Sequence, residues 1–268
     1  MTISITDQEF ALFQRFIHEA AGIALSDSKK ALVSSRLSKR LDSRNLRTFA
    51  DYFKLLSSGA DAQEVQAAID LLTTNETYFF REPKHFDVLR EQAERARGRS
   101  QAFRVWSAAC STGEEPYSIA MVLAATLQFT PFAVLGSDIS SRVLERARTG
   151  HYPVSRTTHI PRAYLQRFCL RGTGSQEGTI LVERALRERV RFMSINLNET
   201  LPRMEPFDVI FLRNVMIYFN VDTKRQVVER VLSVLKPGGY LLIGHSETLN
   251  DLDVGAIAVA PSIYRKPS

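Results

Sequence analysis

Residues 103–115 read FRVWSAACSTGEE, an apolar run of strand length that ends in small residues and then two acids at the start of a helical pattern. Residues 132–138, FAVLGSD, repeat the device, with a strand that stops at Asp138 before a helix from about Ser140. FDVIFLRN at 207–214 precedes a helix from about Asp222, and YLLIGHS at 240–246 follows the Lys236-Pro237-Gly238-Gly239 turn. Short apolar strands alternating with helices predict a parallel sheet covered on both faces, hence a doubly wound α/β domain.

Working outward, the first 80 or so residues show helical periodicity alone. Thr6-Asp7-Gln8-Glu9 is a capping box, with Ile5 and Phe10 placed as a hydrophobic staple. Phe10, Phe13, Phe16, Ile17 and Ala20 follow at helical spacing up to Gly22. Further helices are expected from about Ser26, over Phe49 to Ser57, from Asp61, and over about Lys84 to Ala96. The segment from Gly150 to Asn196 breaks the α/β alternation and is far longer than the roughly 2 to 6 residues of a usual connection. It holds a short helix around Tyr164 to Phe168, the polar RGTGSQEG at 171–178 and the β-prone pieces TILVE and RVRFMSI. It reads as a small inserted antiparallel unit. The expected organisation is therefore a helical domain over 1–75, a linker and helix over 76–98, and an α/β domain over 99–268 with its insert at about 150–195.

In an open α/β sheet, ligands bind outside the carboxyl ends of the strands. Asp138 lies where such a site holds ribose hydroxyls. Gly113 is the single glycine of its loop, so a pyrophosphate cradle is missing, and Glu114 and Glu115 would repel phosphates. A nucleoside without phosphates is implied, and S-adenosylmethionine, with its ribose diol and cationic sulfonium, fits. Asn196 and Asn214 add carboxamides at sheet margins. The segment LLTTNETYFFRE, 71–82, joins the two parts, and a purely structural linker accounts for its aromatics but not for Arg81.

LLTTNETYFFRE, VWSAACSTGEEPYSIA, SDIS, INL, FLRNVMIYF and LKPGGYLLIGHSE occur in this order over nearly the whole chain. In order and spacing they resemble the bacterial chemotaxis-receptor methyltransferases, the CheR family. The resemblance implies a Rossmann-like class I methyltransferase that transfers methyl from S-adenosylmethionine to glutamates on the cytoplasmic helices of chemoreceptors, leaving S-adenosylhomocysteine. It implies cofactor contacts at Asn75, Thr77, Arg81, Glu115, Asp138, Asn196, Leu197, Asn214 and Val215. ACSTGEE in place of a glycine-rich first loop is itself the CheR-like form. A glutamate is already ionised at neutral pH, so no general base is expected. Arg81 and Tyr218 are assigned orienting roles in catalysis, with Arg81 open to serving the cofactor carboxylate instead. His245 is read as a structural strand-end residue.

Thirty-five basic residues against 29 acidic ones give a net charge of +6. Residues 1–81 are balanced overall, yet 29–54 hold eight basic residues against Asp42 and Asp51. Lys29, Arg36, Arg40 and Arg44 fall within about 80° of one helix face and are assigned to docking of an acidic receptor helix. Arg156, Arg162, Arg167 and Arg171 add charge in the insert, whose 172–178 loop resembles the longer form that docks a receptor C-terminal peptide by strand addition. A nucleic-acid methyltransferase would favour aromatics among the basic residues, and none lies between Lys29 and Arg47. A non-catalytic cofactor-binding module is disfavoured by the full polar set. Cys110 and Cys169 lack metal-ligand spacing, and neither a leader nor a membrane span is read. A cytoplasmic monomer with no metal, no nucleic acid and no direct membrane insertion is expected.

Overall fold

The computed structural model describes residues 4–268, so the first three residues of the expected helical domain lie outside the described residues. Helix α1 (Asp7–Ala21) starts on Thr6, whose hydroxyl accepts from the Glu9 amide while Glu9 Oε2 accepts from the Thr6 amide. It stops at Gly22, where φ is +71° and a Cβ would lie 2.8 Å from Thr223 Cγ2. Glycine is needed there both for the left-handed turn and for close approach of the two parts of the molecule. Helices α2 (Lys30–Ser43), α3 (Phe49–Ser57) and α4 (Ala62–Leu72) complete the bundle. Their apolar stripes bury Phe13, Leu37, Phe49 and Tyr52 completely.

After the linker, α5 (Pro83–Ala96) leads into β1 (Phe103–Ser107), α6 (Glu114–Thr126), β2 (Phe132–Asp138) and α7 (Ser141–Thr149). The insert carries β3 (His151–Pro153), α8 (Arg162–Phe168), β4 (Cys169–Arg171) and β5 (Thr179–Val182). There follow α9 (Arg184–Arg187), β6 (Val190–Ser194), β7 (Phe207–Leu212), α10 (Val221–Ser233), β8 (Leu235–Ile243), β9 (Ile257–Ala260) and β10 (Ile263–Arg265). The large sheet has the order β6-β2-β1-β7-β8-β10-β9, and the insert forms a separate sheet β3-β5-β4. One apolar core joins the helical bundle to one face of the large sheet and α10, and a second packs α5 and α6 on the other face.

Two expectations are corrected. RVRFMSI leaves the insert and forms β6, parallel to β2 with Val190 beside Val134. The short α9 reverses the chain after β5, so the next strand runs with the large sheet instead of pairing back on TILV. The Lys236-Pro237-Gly238-Gly239 stretch lies inside β8 as a bulge, where the pairing jumps from Phe207–Leu235 to Val209–Tyr240. The strands β9 and β10, unforeseen, close the sheet as an antiparallel edge.

The helical part is pinned to the α/β part by backbone. Ile23 bridges Phe219, and the Ala24 amide donates to Tyr218 O at 2.7 Å. Buried Asp70 of α4 accepts from the Ser141 amide and hydroxyl at 3.0 and 2.9 Å, and so caps α7 from another part of the chain. Among the described residues no helix is long and apolar enough to cross a membrane.

Candidate cofactor and active site

From β1 the sheet extends to β2 and β6 on one side and to β7 and β8 on the other, so the chain's connections part between β1 and β7. A crevice is expected outside the carboxyl ends of those strands, and an open cleft lies there, with about 830 Å³ of empty space when the solvent at its mouth is included. Strand ends supply its floor, the linker from Thr73 to Thr77 with Arg81 covers it, and Ala21 and Ile23 close one side. Asn75, Thr77, Arg81, Glu115, Asp138, Asn196, Leu197, Asn214, Val215 and Tyr218 all line this one cleft.

Asp138 ends β2 with a buried carboxylate that accepts from the Ser111 and Ser140 amides, each at 2.9 Å, one on each oxygen. Ser111 adopts φ of +49° to aim that amide, and its hydroxyl donates to Asn75 O at 2.8 Å. A carboxylate offers about four acceptor positions, so each oxygen of Asp138 keeps one for a ligand. Glu115 accepts from Ser107 Oγ at 2.7 Å and from Arg213 Nη1 at 2.8 Å. Burial pushes both carboxyls above their usual range, against the pull of Arg213 and Ser107 on Glu115 and of the two amides on Asp138. Glu114 points the other way: it is fully buried and ion-paired with Arg156 of the insert, which also donates to Thr77 O at 3.1 Å. Arg156 thus ties the linker to the first strand-end turn and is unavailable as free surface charge.

Arg81 donates to Glu76 O at 3.2 Å and lies 5.7 Å above the Tyr78 ring. Among the described residues it has no ion pair, so most of its donors remain available to a ligand. Tyr218 stands across the cleft in the loop after β7, fixed through its carbonyl to Ala24. Asn214 has φ of +55°, and its amide donates to Glu247 Oε2 at 2.9 Å. Asn196 differs from expectation: its carboxamide donates to Ala20 O at 2.7 Å and Glu199 Oε1 at 2.8 Å and accepts from Asn198 N at 3.0 Å. It joins the two parts of the molecule, and its carboxamide is largely engaged within the chain. Leu197 is buried, with its carbonyl accepting from Arg230 at 3.1 Å.

Arg213, Glu82 and Glu247 were missed in the sequence. Arg213 is 1% exposed at its side chain and binds Glu115, Glu82 and, at 2.6 Å, Arg81 O. A lone cation closing the apolar run FDVIFLRN was the available signal. Burial opposes the charge on Glu82, but Arg213, the His245 amide and two imidazoles hold its carboxyl below the usual range. Burial first, and Arg213 next, push the His85 imidazole down to about 4. His245 is half-exposed, 3.8 Å from Glu82.

The expected basic docking face is largely turned inward. Arg40 and Arg44 both bind the fully buried carboxylate of Glu64, and Arg44 also reaches Asp61 at 2.8 Å. Tyr52 donates to Glu64 at 2.7 Å. These bonds, with Arg40 foremost, hold Glu64 down to about 2. Arg36 donates to the Leu72 and Thr73 carbonyls at 3.2 and 3.1 Å. Lys29 is exposed at the start of α2. Periodicity groups these residues on one side of α2 but could not reveal the acid of α4 that Arg40 and Arg44 bind.

Residues 75–260 match the family described as CheR methyltransferase, SAM binding domain, and residues 8–73 match CheR methyltransferase, all-alpha domain. The chain belongs to the CheR methyltransferase family. It is 45% identical over 256 residues to a chemotaxis protein methyltransferase of Escherichia coli, covering 94% of this chain and 88% of that protein. It is 44% identical over 253 residues to the Salmonella typhimurium protein of the same name, covering 93% and 87%. Chemotaxis protein methyltransferase 2 of Pseudomonas aeruginosa is 43% identical over 262 residues, covering 97% and 93%. S-adenosylmethionine is the cofactor of this CheR protein, and the cleft fits it chemically. Asp138 has acceptors left for a ribose diol, Glu76 and Glu115 suit a cationic ligand, and Arg81 is free to meet a carboxylate.

Proposed function

We propose that this CheR protein is a cytoplasmic protein-glutamate O-methyltransferase that esterifies glutamates on chemoreceptor cytoplasmic helices. The observation that carries the proposal is the pairing, within one cleft, of an uncommitted Arg81 and Tyr218 with the acid-lined cofactor site. A glutamate side chain with a pKa near ~4.3 arrives as a nucleophile, so no residue has to remove a proton. S-adenosylmethionine, when bound, supplies a methyl group activated on a sulfonium. Asp138, Asn75, Thr77, Leu197, Asn214 and Val215 hold the nucleoside and amino-acid ends, with Glu115 and Asn196 shaping the wall. Arg81 draws the incoming carboxylate by charge, and Tyr218 orients it by a hydrogen bond. Orientation and exclusion of water by the linker provide the acceleration, for which effective molarities of about 10⁵ M and more are available.

Docking of the receptor helix falls to the mouth of the cleft beside α2, where Arg36 holds the carbonyl of the cleft-lining Thr73 and Lys29 is exposed. Arg40 and Arg44 act there mainly by stiffening α2 on α4. On the insert, β4 is a sheet edge with Leu170 54% exposed between Arg167 and Arg171, an arrangement suited to strand addition by a receptor C-terminal peptide. The test is transfer of labelled methyl from S-adenosylmethionine to chemoreceptor cytoplasmic fragments. The proposal expects base-labile label released as methanol, and label that resists base across every receptor of the source organism would refute it.

A further inference from the structure

Behind Arg81 the linker turns sharply, with φ of +56° at Phe80 and +58° at Glu82, and this places the Glu82 carboxylate against α5. His85, in the first turn of α5, is 0% exposed. Its Nε2 lies 2.9 Å from Ser262 Oγ, and that hydroxyl donates to Pro261 O at 2.6 Å. With the serine proton directed to Pro261, Nε2 is the donor and Nδ1 carries a lone pair. Nδ1 faces Glu82 Oε2 at 3.4 Å, and neither buried atom has a hydrogen-bond partner. His245 completes the group: its amide donates to Glu82 Oε1 at 3.3 Å, and its Nε2 stands 3.8 Å from Oε2. The three ligand atoms lie within 4.8 Å of one another.

We propose that Glu82, His85 and His245 form a binding site for a divalent transition-metal ion of the Zn²⁺ class. Two imidazoles and a carboxylate are the ligands such an ion takes, and tetrahedral bonds of about 2.0–2.2 Å set neighbouring ligand atoms about 3.3–3.6 Å apart. The 3.4 and 3.8 Å spacings from Glu82 to the two imidazoles lie close to that range, and rotation of the exposed His245 side chain can bring its nitrogen, now within 4.8 Å of His85 Nδ1, to the third. Ser262 supplies the outer hydrogen bond that fixes the His85 tautomer, as is usual for a ligating histidine. The fourth position is for water, reached from the His245 side, where the side chain is 56% exposed.

Arg213 is the competing cation. It lies 3.2 Å from Glu82 Oε2 without forming a hydrogen bond to that atom, while Glu115 at 2.8 Å and Arg81 O at 2.6 Å hold it in place. Two carboxylates around one buried guanidinium leave a formal negative charge for an added ion to offset. The ion would clip the linker one residue from Arg81 to the end of β8, with no step of methyl transfer passing through it. It would be a structural or regulatory ion. The earlier expectation of no metal came from cysteine spacing, which is blind to ligands 163 residues apart.

The probe is Co²⁺, then Zn²⁺, titrated into chelator-treated full-length protein and followed by visible absorption and calorimetry. The proposal expects one ion per chain, a tetrahedral Co²⁺ spectrum that Zn²⁺ abolishes, and a higher melting temperature with Zn²⁺. His245→Ala, at an exposed position, is expected to weaken Zn²⁺ by more than the roughly 10- to 100-fold that loss of an outer-shell partner costs, whereas His151→Ala leaves it unchanged. A wild-type protein with no Co²⁺ spectrum and no Zn²⁺ melting shift overturns the site, as does undiminished binding by His245→Ala. These readouts do not involve methylation, so they stand apart from the proposed function.

Discussion

The cleft and the α2 helix both present ionised side chains in a pattern legible from sequence, yet the structure uses them in opposite ways. In the cleft, Asp138 and Glu115 are held by backbone amides, a serine and Arg213, and each keeps acceptor capacity facing a cavity. On α2, Arg40 and Arg44 close over Glu64, and Arg36 lies on backbone carbonyls. The difference lies in what sits opposite. Strand ends in a doubly wound sheet face a crevice by topology, whereas a helix face meets whatever packs against it, here a buried acid from α4.

This contrast can be broken first at Arg81. Arg81→Ala is expected to lower methyl transfer by about 10²-fold or more, the usual effect of removing one charge-stabilising donor, with an unchanged melting temperature. Near-normal transfer would remove Arg81 from both orienting roles. Next, Asp138→Asn is expected to weaken S-adenosylhomocysteine binding by about 10- to 100-fold, the scale of a hydrogen bond to a charged acceptor. Calorimetry measures it, and undiminished affinity would deny the ribose assignment.

On the other side of the comparison, Glu64→Ala leaves the buried Tyr52 hydroxyl unpartnered and is expected to cost about 1–3 kcal/mol of stability, with cofactor affinity retained. The same carboxyl gives a pH signature. Its folded pKa lies near 2, below the unfolded value, so its stabilisation is complete above the unfolded pKa and is lost as pH falls from about 4.5 to about 2. Acid denaturation of wild type and Glu64→Gln should therefore converge over that window; parallel curves would contradict the account. The smallest effect is expected at exposed Lys29. Lys29→Glu should slow receptor methylation about two- to threefold at low salt and not at high salt, without altering stability.

Much of the fold was legible because it rests on local rules. The Thr6 capping box, the Asp61 cap of α4 and the strand-end turns at Asp138 and Asn214 are set by residues close in sequence. Of the ten cleft residues, Glu115, Asp138, Asn196 and Asn214 stand out at strand ends and Arg81 in the linker, whereas Asn75, Thr77, Leu197, Val215 and Tyr218 were reached through the family resemblance. What escaped notice depends on partners distant in sequence: Arg213 with Glu82 and Glu115, Asp70 capping α7, and Arg156 reaching Glu114. RVRFMSI was misassigned because a β-prone run does not reveal its partner, and only the reversal at α9 brings it beside β2.

The most direct test of the central claim is to locate the methyl group. Receptor fragments are incubated with this CheR protein and S-adenosylmethionine, digested, and mapped by tandem mass spectrometry in wild type and Arg81→Ala. The account predicts methyl esters on glutamate side chains of the receptor helix, formed by wild type and nearly lost in Arg81→Ala. Methylation confined to other residue types, or glutamate esters formed equally by both proteins, would contradict it.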